Sequence, residues 1–300
     1  MATKQRNRSR RSGPSRDRTP HHVEPVLDPT WQSPYAPSSA EKHANHRAVR
    51  AFALRKKMPL TVLAGAVALA LVVGVVASPW LPLLGVAVAA LYGWDLRRAL
   101  VRYERRGRLL GNLVLDRFRA GGSPTDHLRL TTVLDRLAAT FGVDAVSTFI
   151  VEDPGYNAAL VPNGPGHSLF VTTAMMRDFE LIEIEGVVAH CLARHRLGLL
   201  RRQGVSAVSN LSDDARAELA GAGMAYRADE VAAAAIRYPL GIAGALRRCE
   251  RQVTPPDSFF ASTTYAQWRW IWFDVWADRR ESDLADLDDV QLRALALEEW

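Results

Sequence analysis

The chain has 300 residues, 48% apolar and 23% charged, which excludes a wholly disordered or collagen-like protein. Its two cysteines, Cys191 and Cys249, exclude a disulfide-rich scaffold and a four-cysteine zinc site. The net charge of +6 belongs to the flanks of one uncharged stretch, and residues 111–300 hold 26 acidic against 19 basic residues, so the basic balance is no argument for nucleic acid.

Residues 1–57 carry 13 Lys/Arg against 4 Asp/Glu. Residues 1–45 are rich in Arg, Ser, Pro and His and poor in large apolar residues, so they cannot bury enough surface to offset their ordering entropy. They read as a disordered basic tail. Arg6, Arg8, Arg10, Arg11, Arg16 and Arg18 suit a solvated, topology-setting tail, with contact to the anionic inner leaflet as the alternative. No folded nucleic-acid module is present, so no specific nucleic-acid partner is expected. His21, His22, His43 and His46 read as solvated polar residues.

Residues 58–94 contain no charge. A bilayer core of ~30 Å needs about 20 helical residues, so this stretch is too long for one span. Ser78-Pro79 interrupts it. The expectation is a transmembrane helical hairpin, about Met58–Ala77 and Trp80–Trp94, with Trp80, Tyr92 and Trp94 at the interfaces. Arg55, Lys56 and Lys57 precede it, and six arginines follow between Arg97 and Arg108, which places both ends in the cytoplasm. The apolar run starts too late and is too long for a cleaved signal peptide.

Beyond the hairpin, a helix is expected to run through Arg97–Phe118 and stop at Gly121-Gly122. Ser123-Pro124 then supplies an N-cap and a first-turn proline. Leu128, Leu130, Val133, Leu134, Leu137 and Phe141 form a helical apolar stripe ended by Gly142. Three short strands are expected at Val146–Val151, Asn157–Val161 and Ser168–Thr172, with turns at Gly155, Asn163-Gly164 and Gly166. Helices follow at about Ile182–Arg202, Glu218–Ile236, Leu240–Val253 and Leu284–Trp300. Trp268, Trp272 and Trp276 are spaced to line one helical face. Packing of the domain against itself is the favoured reading of this cluster, and a membrane-interface or partner surface is the other.

The run Glu183-Ile-Glu-Gly-Val-Val-Ala-His190-Cys-Leu-Ala-Arg-His195-Arg resembles the zinc-site helix of the HtpX-like membrane metallopeptidases, relatives of the CAAX prenyl proteases. Glu183, Val187, Ala189 and His190 match the family's E-L-x-x-V-x-A-H-E-x-x-H pattern in register. Asn157-Ala158-Ala159, Val171-Thr172-Thr173 and Tyr226-Arg-Ala-Asp229 fall where that family has further motifs, so the resemblance covers residues 55–250. It implies a zincin-like fold and a zinc-dependent proteolytic ancestry.

The chemistry of that family rests on geometry. Residues i and i+4 of a helix lie about 40° apart, so two histidines converge on one zinc. The intervening Glu takes a proton from the metal-bound water, and a third ligand completes the site. Here His190 is retained, but the base position holds Cys191, the second ligand position Arg194, and the third, by the resemblance, Ala225. A guanidinium stays protonated and is no zinc ligand. A slipped site through Cys191 and His195 would face about 100° away from the old cleft and has no evident third ligand. Arg194 is expected either to pair with Asp229, so that a salt bridge stands in for the metal, or to turn into water. No G-x-S-x-G elbow or phosphate-binding Gly-Lys loop is present.

The combined expectation is an α+β protein in three parts. These are a disordered basic tail over residues 1–50, a transmembrane helical hairpin over 51–98, and a mostly helical zincin-like cytoplasmic domain with a small β-sheet over 99–300. It would be a membrane-anchored HtpX-like homologue with a vestigial active site of His190, Cys191, Arg194, Ala225 and Asp229. No catalytic residue, metal or cofactor is expected, and zinc only if the family site is retained. Its partners would be the lipid bilayer and peptides or membrane proteins at the vestigial cleft, in a binding, scaffold or regulatory role. The alternative is an active zinc metalloendopeptidase using non-standard ligands.

Overall fold

The computed structural model describes residues 39–56, 60–77, 81–144, 146–278 and 288–300. The arginine-rich segment 1–38, the Ser78-Pro79 turn with Trp80, and residues 284–287 of the expected last helix lie outside the described residues. Residues 39–50, read from sequence as the end of the tail, belong to helix α1, Ser39–Lys56.

The transmembrane hairpin is corrected. Among the described residues, no helix is long and apolar enough to cross a membrane. The two arms are the helices α2, Leu60–Ala77, and α3, Leu81–Arg108. The 18 residues of α2 rise about 27 Å, short of a ~30 Å hydrocarbon core. The uncharged part of α3 ends at Asp95, after about 21 Å of rise, and the helix continues through six arginines. The far end of α3 and α1 instead pack on the domain, where Val49 and Phe52 meet Val205 and Leu219.

After the short helix α4, Leu110–Leu115, comes α5, Pro124–Phe141, whose start follows the sequence signals. The Ser123 hydroxyl accepts from the Asp126 amide at 3.2 Å, and the Asp126 carboxylate accepts from the Ser123 amide at 2.9 Å. Gly142 closes the helix in the left-handed region, at φ 63°. Leu130, Val133, Leu134, Leu137 and Phe141 are buried as the stripe requires, whereas Leu128 is exposed.

The strands are β1, Val146–Val151, β2, Ala158–Asn163, and β3, Gly166–Thr172, in the order β1-β3-β2. β2 and β3 form an antiparallel hairpin, and β1 runs parallel to β3. Alternate residues feed two cores, as the period of a strand dictates. Ala158, Leu160, Leu169 and Val171 pack with α5 and the later helices. Ala159, Val161 and Phe170 pack with Phe260, Tyr265 and Trp272 on the other face.

Helix α6, Thr173–Asp178, leads into α7, Leu181–Arg196, and α8, Leu199–Val208. The single helix expected over 182–202 is therefore two, because Gly198 takes a left-handed conformation, φ 71°, between them. Helix α9, Asp213–Ala220, is likewise separate from α10, Met224–Ile236. Next come α11, Pro239–Arg251, the four-residue α12, Tyr265–Trp268, and α13, Val290–Glu298. The close approach of α7 to α11 depends on Gly186, where a Cβ would lie 2.7 Å from the Ile242 amide nitrogen.

The tryptophan run does not form one helical face. After α12 the chain makes a 3₁₀ turn at Arg269–Ile271 and then continues irregularly. Trp268, Trp270, Trp272 and Trp276 are all buried. Trp272 packs edge-on against Phe260 at 5.0 Å, and Trp270 against Trp276 at 6.0 Å. The cluster is core, the first of the two sequence readings.

Candidate functional site

Helix α7 carries His190, Cys191, Arg194 and His195 and is buried along most of its length. His190 faces α10. Its Nδ1 lies 2.7 Å from Oδ1 of Asp229. Asp229 is gripped from its other side by Arg293 of α13, whose Nε donates to Oδ2 at 2.7 Å and Nη2 to Oδ1 at 3.0 Å. The third Arg293 nitrogen, Nη1, donates to the Phe273 carbonyl at 2.8 Å. The Phe273 ring lies beneath the guanidinium, 5.1 Å from its centre, and meets the His190 ring edge-on at 5.0 Å.

The expected Arg194–Asp229 pair is therefore corrected. The arginine on Asp229 is Arg293, and Arg194 turns neither to Asp229 nor to water. It is buried, with Nη1 donating to the carbonyls of Ile271 at 2.8 Å and Trp272 at 3.2 Å. Its Nη2 donates to the Trp270 carbonyl and its Nε to Gln203 Oε1 at 3.1 Å. The cause is the irregular chain after α12. Carbonyls that a helix would bond internally are left open there, and a guanidinium has a fork of donors to match them.

Ala225, which the resemblance set at the third-ligand position, offers only its backbone. Its amide and that of Gly223 each donate to the Asp288 carboxylate at 2.8 Å. Asp288 holds a left-handed conformation, φ 63°, to reach this place at the start of α10. Between His190, Arg194, Ala225, Trp272 and Asp288 remains a small void of about 10 Å³, room for about one water.

Electrostatics follow from burial. Desolvation pulls the His190 imidazole down to about 4, against the pull of Asp229 and helped by Arg293 and Arg194. His190 is thus neutral at pH 7 and its Nδ1–H donates to Asp229. Burial alone pushes the Asp229 carboxyl up, but Arg293 and His190 together outweigh it and hold the group below the usual carboxylate range. Burial lowers Arg194 to about 10, leaving it charged, and raises the Cys191 thiol to about 11, leaving it protonated.

The donor set does not fit zinc. Of the three ligand positions that the resemblance singles out, only His190 carries a metal-binding side chain, and its Nδ1 bond to Asp229 leaves Nε2 as its one metal-binding nitrogen. Arg194 places a fixed positive charge at the void, and Arg293 places a second one 3.4 Å from His190 Nδ1. Among the described residues, no group of three or more His, Cys, Asp or Glu is arranged to hold a metal ion. Nor does the structure bring Cys191 and His195 to one site. Cys191 sits in the core around Leu192 and Val188, whereas His195 packs edge-on against His167 of β3 with ring centres 4.4 Å apart.

Sequence reasoning missed Arg293, Asp288, Phe273 and Gln203. Arg293 did leave a signal. It stands among Val290, Ala294 and Leu297 at core spacing, an arginine in an apolar stripe. Asp288 left none, because its place depends on a turn and not on a pattern. No protein-family model matches the chain, and no curated protein matches it.

Proposed function

We propose that the chain is a non-catalytic, HtpX-like metallopeptidase homologue that works by binding. One observation carries this reading: beside His190, where the resemblance would set zinc, stands the guanidinium of Arg194, while His190 itself is held in a buried network with Asp229 and Arg293. Such a network ties α7, α10 and α13 together as a metal would, but offers no Lewis acid and no free base. Cys191, in the base position, is a protonated thiol inside the core.

A cleft of about 750 Å³ opens over Asp229 and Arg293, with Tyr226 and Trp300 on its walls and Arg227, Glu230 and Glu299 around them. Aromatic walls with charges of both signs suit an extended peptide segment. The reading is tested by zinc content and peptide cleavage of the full chain, purified without a histidine tag or added metal. Well under one zinc per chain in a folded sample, with no chelator-sensitive cleavage of a peptide mixture, is expected. About one zinc per chain, lost in His190→Ala, would overturn it.

A further inference from the structure

A second cavity, of about 290 Å³, lies where the end of α3, the β2–β3 turn and the α7–α8 junction meet. Two glycines set its geometry. A Cβ on Gly107 of α3 would lie 3.2 Å from the Gly204 carbonyl carbon of α8, so these helices cross in near backbone contact. The crossing holds Glu104 and Arg108 of α3 beside Arg201 of α8. Arg201 Nη2 pairs with the Glu104 carboxylate, which also lies 3.7 Å from Arg108. The edge-to-face imidazoles of His167 and His195 line the same space, as do Pro165 and Leu200.

Three features define what fits. The Arg201 guanidinium stands at the cavity wall, with Nη2 paired to Glu104 and Nη1 enclosed in the wall without a hydrogen-bond partner among the described residues. Arg108 and Arg201 against Glu104 leave one net positive charge at the cavity, matched by a monoanion and exceeded by a dianion. The remaining walls are largely apolar. We propose that this cavity binds a small organic monocarboxylate, its carboxylate received by Arg201 and the two imidazole edges and its apolar body held against Pro165 and Leu200. Glu104 already shows that Arg201 accepts a carboxylate here. A charge-assisted bond to a guanidinium supplies the orientation, and the apolar walls supply the contact area.

The test is calorimetric titration of the full chain with benzoate, phenyl phosphate and zinc chloride. Benzoate is expected to bind with a Kd of about 0.1–10 mM, the range for a ligand of its size. Phenyl phosphate is expected to bind no more tightly, and zinc not at this site. Arg201→Met is expected to weaken benzoate roughly tenfold or more. Because that change also breaks the Glu104 pair, His195→Gln is titrated beside it, with an expected weakening of roughly threefold to tenfold. Failure of benzoate to bind by about 10 mM, tighter binding of phenyl phosphate, zinc binding abolished by His195→Gln, or benzoate affinity unchanged in His195→Gln would each overturn the proposal.

Discussion

Asp229→Asn isolates the charge of the buried network while keeping its shape. Asp229 and Arg293 are 3% and 0% exposed, so the change leaves a guanidinium in the core with the Phe273 carbonyl, the Phe273 ring and a neutral amide as its contacts and the field of Asp288 and Asp274 against its charge. At an effective dielectric constant of about 20, two unit charges 3.5–4 Å apart interact by about 4 kcal/mol. Breaking one side of a buried pair costs about 3–5 kcal/mol by experience with other proteins, in agreement. For a folded unit of this size each kcal/mol moves the melting temperature by about 2–4 °C, so a drop of roughly 10 °C is expected.

The assay is urea and thermal unfolding of the full chain and of Asp229→Asn, Arg293→Met and the double variant. Removing both charges leaves no unpaired ion. The double variant is therefore expected to be less destabilised than the two single changes together, with a coupling of about 2 kcal/mol or more. An Asp229→Asn protein within about 1 kcal/mol of the parent, or a coupling near zero, would refute the assignment of the network as the tie between α7, α10 and α13.

Acid should destabilise the fold through His190. Its folded-state value of about 4 lies below the ordinary 6.5, so between these values the unfolded chain holds a proton that the folded chain lacks. Stability is then full above pH 6.5 and falls by about 1.4 kcal/mol per pH unit toward pH 4, about 3 kcal/mol in all. His190→Gln should flatten that slope in unfolding curves taken between pH 7 and 4. Asp229, held low, adds its loss only below the ordinary carboxylate value of 3.8. Arg194→Lys should fail to rescue Arg194→Met, each costing about 3 kcal/mol or more by urea unfolding, because one ammonium cannot reach Gln203 and three carbonyls together. The native protein should resist iodoacetamide at pH 8 when followed by mass spectrometry, since Cys191 and Cys249 are both buried and the Cys191 thiol is pushed up to about 11. Gly186→Val should lower stability by about 3 kcal/mol or more, because its side chain meets the α11 backbone at Ile242.

Local signals carried most of what the sequence disclosed. Ser123, Pro124 and Gly142 delimit α5 because caps act within one turn of the chain. β1 runs over its expected residues, since alternation and turn residues are also local. The tryptophan spacing misled for the opposite reason. Carbonyls of residues 270–272 that would bond within a helix go to Arg194. The Phe273 amide goes to the Ala158 carbonyl at 2.8 Å, and the Asp274 amide to Asn157 Oδ1 at 2.9 Å. Long-range bonds replaced the helical ones, and no window around residue 272 contains their partners. The site divides in the same way. His190, Arg194 and Asp229 were visible as positions, but the pairing of Asp229 was not, because Arg293 arrives from 64 residues further along the chain.

That late arrival ties α7 to α10 from outside both helices. A zinc ion would tie α7 to α10 through side chains. Here a short C-terminal stretch makes the tie from two sides. Asp288 caps the start of α10 through the amides of Gly223 and Ala225, and Arg293 reaches across to Asp229 and, through it, His190. The stretch is itself anchored, since Arg247 of α11 pairs with Glu298 at 2.7 Å and Val290, Ala294 and Leu297 enter the main core. Each buried charge in the set has an opposite charge, several carbonyls or, for Asp288, two backbone amides against it, which is the condition for charges to be tolerated in a core at all. Glu at position 225 alone would set a carboxylate beside Asp288 and would not make a metal centre, because the guanidinium of Arg194 would still line the same void.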